Sequence, residues 1–177
     1  MKAWMTEVGM FSMLVALGVA GRLLPHEPNF MPIAATALFS GYFMRHVSFA
    51  ACVPLASMLI SDAVLGVYDY KVMGVVYLCL MAPVLLSAVL KRRLTVTTVG
   101  AGAVGSSALF FVGTNFAVWL SSGMYEHTLS GLVRCYVAAL PFLRNTLMGD
   151  LFWSGMLFGA WALVGAARRA AVARATA

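Results

Sequence analysis

The chain has 177 residues, of which 62% are hydrophobic and only 10% are charged. Soluble domains are about 45–50% apolar and about 25% charged, and a domain of this length leaves roughly a third of its surface exposed, so a water-soluble globular fold is excluded. The net charge of +6 comes from basic residues at the ends of apolar runs rather than from one patch, which indicates membrane topology and not nucleic-acid binding.

Apolar runs closed by charge, proline or glycine predict an all-α membrane protein with about six transmembrane helices in a lipid bilayer. The runs are approximately 7–24, 32–45, 47–66, 72–90, 96–121 and 146–167. The second run begins at Pro32 and is short for a full crossing, so it is tilted, partly buried or continuous with its neighbour. Residues 1–167 are predicted to form a single transmembrane domain, and residues 168–177 a basic cytoplasmic tail.

A further apolar stretch covers residues 127–144, but it contains Arg134 near its middle and Pro141 near its end. A charge at the centre of a span costs about 2.5–3.5 kcal/mol. We therefore expect a helix that lies at the outer surface or enters the membrane partway, while a seventh span stays open as the alternative.

The basic residues predict the orientation, because they concentrate on the cytoplasmic side of membrane proteins. One side of the six-span arrangement collects Lys2, Arg45, Lys91, Arg92, Arg93, Arg168, Arg169 and Arg174, and the other collects Arg22, Lys71, Arg134 and Arg144. Both termini are therefore expected in the cytoplasm. Nearly all the acids fall on the other side, which suggests that something is held at the outer face: Glu27, Asp62, Asp69, Glu126 and Asp150.

The connection after the first run is rich in proline, with Pro25, Pro28 and Pro32 in eight residues. Proline disfavours helix, so this connection is predicted to be a rigid turn that presents polar side chains. Those side chains are candidates for contact with a solute: Arg22, His26, Glu27 and Asn29. The alternative is a loop that only joins two helices and meets water.

Asp62 lies near the end of the third run, inside the membrane or just at its edge. A carboxylate there requires a partner or hydration and is a candidate functional group. Arg22 or His26 is the expected partner. The alternative is a structural aspartate that caps a helix or pairs with Arg22 for folding alone.

Further polar and aromatic residues lie near the outer ends of the last two runs. Trp119 and Tyr136 are either part of a solute site or members of the interfacial aromatic belt. Asn115 and Asn145 need hydrogen-bond partners in a medium of low dielectric. Asp150 is expected to form an ion pair with Arg144 or Arg134, in a structural role more than as a ligand contact.

Catalytic and metal-binding patterns are weak in this sequence. His26 and His127 with Asp62 suggest a metal, but no His-x-x-x-His or Cys-x-x-Cys occurs, so neither a metal nor another cofactor is expected. No nucleotide-binding or nucleophile motif is found, and the protein is not expected to be an enzyme. Ala16 and Ala20, four residues apart on one helix, permit close packing against another helix.

Several segments together resemble an uncharacterised family of small bacterial inner-membrane proteins. They are Arg22-Leu-Leu-Pro-His-x-Pro-Asn-Phe-x-Pro-Ile-Ala-x-x-Ala-Leu-Phe-x-Gly, Asn115-Phe-x-x-Trp, Tyr136-Val-Ala-Ala-Leu-Pro-Phe and Asn145-Thr-Leu-x-Gly-Asp150. More distantly, the layout is similar to the substrate-binding S components of energy-coupling factor transporters, which have six helices and a vitamin or metal site under the outer loops. That resemblance implies a membrane coupling subunit with ATPases as partner, contacted through Ala16 and Ala20.

The leading hypothesis from the sequence is a binding and translocation subunit for a small micronutrient such as a vitamin. Its pocket would be lined by Arg22, His26, Asn29, Asp62, Asn115, Trp119, Tyr136 and Asn145. One rival is a structural or assembly subunit that binds other membrane proteins and carries no solute. Another is a membrane-embedded enzyme that uses His26 and Asp62 as an acid–base pair.

Overall fold

A computed structural model of the protein describes residues 2–67 and 69–176, and all regular structure in those ranges is α-helical. The seven helices are α1 (Lys2–Leu23), α2 (Ile33–Phe43), α3 (Val47–Leu65), α4 (Tyr70–Met81), α5 (Pro83–Arg92), α6 (Val96–Ser121) and α7 (Leu129–Ala175). Helices α4 and α5 are separated only by Ala82, which keeps helical dihedral angles, and Pro83 starts α5 where its missing N–H is not needed. Together α4 and α5 make one crossing.

Short polar side chains set where several helices begin. The Asp69 carboxylate accepts hydrogen bonds from the backbone N–H groups of Lys71 and Val72, and the Thr128 hydroxyl accepts one from Gly131. Thr95 and Thr98 form a reciprocal capping box at the start of α6. Such caps satisfy N–H groups that have no partner within the helix.

Lipid is the medium that suits this helix bundle. Five helical segments are long and apolar enough to cross a membrane, with α2 as a shorter sixth: Trp4–Leu23, Val47–Leu65, Tyr70–Arg92, Val96–Ser121 and Leu129–Ala175. Large apolar side chains such as Val64, Leu78 and Val137 are more than half exposed. A surface of this kind is normal against hydrocarbon and unstable against water. The expected all-helical fold, with five or six helices apolar enough to cross a membrane, is therefore confirmed.

The two ends of the bundle differ in their connections. The connections 24–32 and 122–128, the end of α3 and the start of α4 lie at one end, which we call the proline-rich end. The connections 44–46 and 93–95 lie at the other, together with both terminal segments, and we call it the basic end. Contacts across helices agree with this arrangement, since Arg22 meets Asp62 at the first end and Lys91 Nζ donates to Met44 O at the second.

Helix α2 lies at the centre of the bundle and contacts every other helix. Its residues Ile33 to Gly41 are all buried. Small side chains permit this, because a Cβ on Gly41 would collide with the Ser87 side chain and the Val84 carbonyl of α5. Since α2 is surrounded by protein, its short length never exposes helix ends to lipid.

The proline-rich segment 24–32 enters the bundle instead of lying over it. Ile33 packs with Leu80 of α4 and Phe110 of α6. Phe110 is 11 residues before the end of α6, which is about 17 Å at 1.5 Å per residue. Near its C-terminal end the segment passes very close to α7. A Cβ added to Gly149 of α7 would lie 3.1 Å from Phe30 Cα. Non-helical backbone therefore reaches the interior of the membrane protein.

The last crossing corrects the expectation for residues 127–144. The separate surface or re-entrant helix near 127–144 is wrong, because α7 runs without interruption from Leu129 to Ala175 and includes both Pro141 and the tail to Ala175. A helix of 47 residues is about 70 Å long, more than twice the roughly 30 Å hydrocarbon core. Arg134 lies 16 residues, about 24 Å, from Asp150 along α7, so it need not be at the centre of a span.

Candidate functional site

Arg22 and Asp62 form a closed ion pair at the proline-rich end. Arg22 Nη1 lies 2.7 Å from Asp62 Oδ1 and donates to Ser61 Oγ at 2.6 Å. Tyr77 of α4 donates its hydroxyl to Asp62 Oδ2 at 2.7 Å. Asp62 is 4% exposed and the Arg22 side chain 11%. The cluster ties α1, α3 and α4 together and neutralises its own charges, so it fits the structural alternative for Asp62.

A cavity lies between α4, α6, α7 and the 24–32 segment. It has a volume of about 210 Å³, and we call it the Asn29–Asn115 cavity. Asn115 Nδ2 donates to Phe111 O, and the Thr114 and Thr146 hydroxyls donate to Phe110 O and Phe142 O. The two threonine oxygens therefore remain as acceptors, and Asn115 keeps its Oδ1 acceptor and its second Nδ2 hydrogen.

Asn29, toward the C-terminal end of the 24–32 segment, has an unusual backbone conformation. Its φ is 64°, in the left-handed region that asparagine tolerates better than most residues. Among the hydrogen bonds of the described residues none involves the Asn29 side-chain amide, which lines the cavity. Its donor and acceptor are both available to a bound molecule.

A second, much smaller cavity continues from the first toward the middle of the bundle. It has a volume of about 20 Å³, and we call it the Asp150 cavity. Its polar lining consists of Asn29, Thr146 and Asp150, and the rest is apolar. A space of this size with polar partners holds about one water molecule. Asn29 and Thr146 line both cavities.

Asp150 does not form the predicted ion pair. It is 3% exposed, and Ser107 of α6 donates its hydroxyl to Asp150 Oδ2 at 2.6 Å. Arg134 instead contacts Glu126 at 3.2 Å, and no described basic side chain lies within 4.0 Å of Asp150. The expectation failed because it assumed that the nearest basic residues in sequence share a level with Asp150, whereas they lie further along the same continuous helix.

A third cavity lies between α6 and α7 on the other side of Asp150. It is a groove of about 460 Å³ lined by mostly small and apolar side chains, including those of Leu151, Ser154 and Gly155. The groove extends toward the basic end as far as Leu94. Asp150 therefore lies between cavities that extend toward opposite ends of the bundle.

The other predicted site residues lie outside the cavity linings. His26 is exposed, and its Nδ1 contacts Leu24 O at 2.7 Å. Trp119 donates Nε1 to Glu126 O, and Tyr136 donates its hydroxyl to Val112 O. Asn145 is half-buried beside Thr146 but lines neither cavity. Of the eight predicted residues, Asn29 and Asn115 share a cavity and Arg22 and Asp62 share an ion pair.

His26 and Asp62 are not brought together by the described contacts, since each has other partners. Within residues 2–67 and 69–176 no three histidine, cysteine, aspartate or glutamate side chains gather in a way that would hold a metal ion. Ala16 and Ala20 are exposed on the outer face of α1.

Sequence reasoning overlooked Thr114, Thr146 and Ser107. One signal was present, because Thr146 and Asp150 are four residues apart and must share a face of any helix that contains them. Ser107 carries no comparable signal. Serine is common in membrane helices, and only its position opposite Asp150 distinguishes it from its neighbour Ser106.

The fold and these cavities indicate the class: an α-helical protein with several helices apolar enough to cross a membrane and with cavities along the α6–α7 contact. The chain belongs to the family of unknown function DUF6580, which it matches over residues 2–173. No curated protein and no solved structure matches the chain.

Proposed function

We propose that the protein is the solute-binding and translocation subunit of a micronutrient uptake system in a bacterial inner membrane, similar in role to the S component of an energy-coupling factor transporter. In this proposal both termini are cytoplasmic, and the proline-rich end faces outward. The observation that carries it is the Asn29–Asn115 cavity, a space between the helices whose mostly apolar lining contains Asn29, Thr114, Asn115 and Thr146.

The path of the backbone supports a binding role. Non-helical backbone at membrane depth is tolerated where it is covered by protein or lines a cavity, and broken or short helices mark the solute sites of many transporters. Here the 24–32 segment descends into the bundle, and α2 continues from it as a helix of only 11 residues. Asn29, toward the C-terminal end of this segment, lines the cavity.

The lining specifies the chemistry of the solute. Asn115, Thr114 and Thr146 present hydrogen-bond acceptors, while Phe110, Phe111 and Phe142 offer aromatic surface. No charged side chain lines this cavity, and Arg22 is engaged by Asp62. The cavity therefore suits an uncharged ring that carries both hydrogen-bond donors and acceptors, and among the described residues it offers no charged side chain to balance a carboxylate or phosphate.

The cavity volume limits the size of the solute. Pockets for drug-sized ligands have volumes of about 300–1,000 Å³. At about 210 Å³ the Asn29–Asn115 cavity is smaller, so it fits one or two rings and not a macrocycle. A small vitamin or vitamin precursor is the solute class that we propose.

The proposed partner is a membrane coupling subunit with its ATPases. Ala16 and Ala20 are exposed on one face of α1, and the small side chains there would let another helix approach closely. This part of the proposal has its origin in the resemblance to S components, and the exposure of the two alanines is compatible with it.

The rival role as an assembly subunit has one observation in its favour. Arg22 and Asp62 neutralise each other's charge and Tyr77 donates to Asp62 Oδ2, as expected when polar groups only hold helices together. That role gives no reason for the acceptors of Asn115, Thr114 and Thr146 to surround a cavity. Solute binding explains them.

Native mass spectrometry of the protein purified from cells grown in rich medium, combined with a thermal-shift screen of vitamins and precursors, tests the proposal. The Asn115→Leu variant keeps the side-chain volume but removes an acceptor, and it should lose a co-purified solute or its thermal shift. Asn145→Leu is the matched control, because Asn145 lies outside the lining. A wild-type protein that carries no solute and responds to no compound, or an Asn115→Leu variant that binds as well as wild type, would refute the proposal.

A further inference from the structure

Asp150 is a carboxylate near the middle of a membrane span. Its partner Ser107 lies 11 residues after the start of α6 and 14 before its end, which is about 17 Å and about 21 Å from the two ends. A carboxylate moved from water to such a place is unstable by several kcal/mol unless a positive charge or many hydrogen bonds compensate it. The group that compensates the Asp150 charge therefore indicates the role of this carboxylate.

The described protein does not supply a full positive charge. Helix α7 packs against α6 and α2, and neither of these contains a charged residue. The 24–32 segment also touches α7 near Gly149, but its His26 and Glu27 are exposed. On α7 itself the nearest charged side chain in sequence, Arg144, is exposed and six residues away.

Two weaker effects offset part of the charge. Ser107 donates one hydrogen bond to Asp150 Oδ2. The amino end of α2 is also near, since Ile33 and Ala34 line the Asp150 cavity, and a helix amino end carries about half a positive charge. One hydroxyl and a partial charge leave part of the carboxylate's charge uncompensated.

The space beside Asp150 is of atomic size, and its mostly apolar lining includes three polar side chains. The Asp150 cavity of about 20 Å³ is also lined by Thr146 and Asn29. Thr146 donates its hydroxyl hydrogen to Phe142 O, so its oxygen is available as an acceptor for an ion or molecule in the cavity. The Asn29 amide supplies another oxygen. Carboxylate, hydroxyl and amide oxygens are ligands that hard cations prefer.

We propose that Asp150 binds a small monovalent cation, either a proton or a sodium ion, in the Asp150 cavity with the oxygens of Thr146 and Asn29. Either cation carries a single positive charge that neutralises the buried carboxylate. A monovalent ion fits better than a divalent one, because Asp150 is the one acidic side chain in the described lining and balances a single positive charge.

Asn29 and Thr146 also line the larger cavity, so occupation of one cavity changes groups that face the other. A cation at Asp150 would therefore be coupled to solute binding, and this clause rests on the proposed function. Cation binding itself does not, and it can be measured without any solute.

The experiment measures the melting temperature of the full chain in nanodiscs without solute. In one series sodium chloride replaces choline chloride at constant pH, and in the other the pH is varied with choline as the only added cation. A ligand at about 100 times its Kd that binds only the folded state should raise the melting temperature by about 5–10 °C in a chain of this length. A sodium site responds in the first series, and a proton site in the second, with the melting temperature falling as pH rises.

Asp150→Asn is the decisive variant, since the amide keeps the shape and an acceptor but removes the charge. It should lose the response that wild type shows, while Asp69→Asn, at an exposed helix cap, should keep it. Asn115→Leu should also keep it, which separates this inference from the proposed function. If Asp150→Asn folds poorly, Thr146→Val keeps the carboxyl and should shift the midpoint of the response. A wild type that responds in neither series, or an Asp150→Asn or Thr146→Val variant that matches wild type, overturns the inference.

Discussion

Ser107 and Asp150 are 43 residues apart in the chain, and the Ser107 hydroxyl donates to the Asp150 carboxyl at 2.6 Å near the middle of the bundle. Both side chains are at most 3% exposed. This contact joins α6 to α7 at the level where the Asp150 cavity lies. The Asp150 carboxyl also lies between two cavities that extend toward opposite ends of the helix bundle.

The first prediction concerns that hydrogen bond. Ser107→Ala should lower the free energy of unfolding by about 1–3 kcal/mol, because it leaves a buried carboxyl without its partner. Ser106→Ala is a matched control, since Ser106 is equally buried but donates only to Gly102 O of its own helix. The measurement is reversible unfolding in mixed micelles. If both variants lose the same free energy of unfolding, the hydrogen bond to Asp150 contributes no more to stability than one within a single helix, and the prediction is wrong.

The second prediction concerns the Arg22–Asp62 pair. Arg22→Met should destabilise the protein by about 3–5 kcal/mol, because it strands a buried carboxylate, and the double variant with Asp62→Asn should recover part of that loss. Arg134→Met is the control, because its pair with Glu126 is largely exposed and should contribute about 0–1 kcal/mol. Melting temperatures of the four proteins check this. A double variant less stable than Arg22→Met would contradict the explanation.

The third prediction concerns the packing of α2. Gly41→Ala should lower the melting temperature, since the added Cβ meets the Val84 carbonyl and the Ser87 side chain. Gly74→Ala should leave it unchanged or raise it, because nothing lies within 4 Å of a Cβ there and alanine favours helix by roughly 0.5–1 kcal/mol. If both variants behave alike, α2 is not tightly enclosed as described.

The fourth prediction tests the proposed orientation. With Cys52 replaced by Ser, a Glu27→Cys variant should react with a membrane-impermeant maleimide added to intact cells, and a Thr97→Cys variant should react only after lysis. Both positions are exposed, at opposite ends of the bundle. The reverse pattern would place the proline-rich end in the cytoplasm and remove the basis for uptake from outside.

Four of the eight predicted site residues lie together in pairs, Arg22 with Asp62 in an ion pair and Asn29 with Asn115 in one cavity, and the reason differs between the pairs. Arg22 and Asp62 were predictable as a pair because each is a charge near the same end of a span, where little else can compensate it. Asn29 and Asn115 were predictable as polar groups at membrane depth, although not as neighbours. Trp119 and Tyr136 hydrogen-bond to nearby backbone, which sequence could not distinguish from contact with a solute.

The sequence by itself determined the medium and the crossings, because hydrocarbon demands long apolar helices and these can be read along the chain. Only the tertiary structure decided that α2 is enclosed, that the 24–32 segment descends beside Asp150, and that α7 continues through residues 127–144. Those features depend on close approach between helices distant in the chain, such as Gly41 against α5 and Gly149 against Phe30. A hydropathy pattern carries the burial preference of each residue but not the identity of the neighbour that buries it.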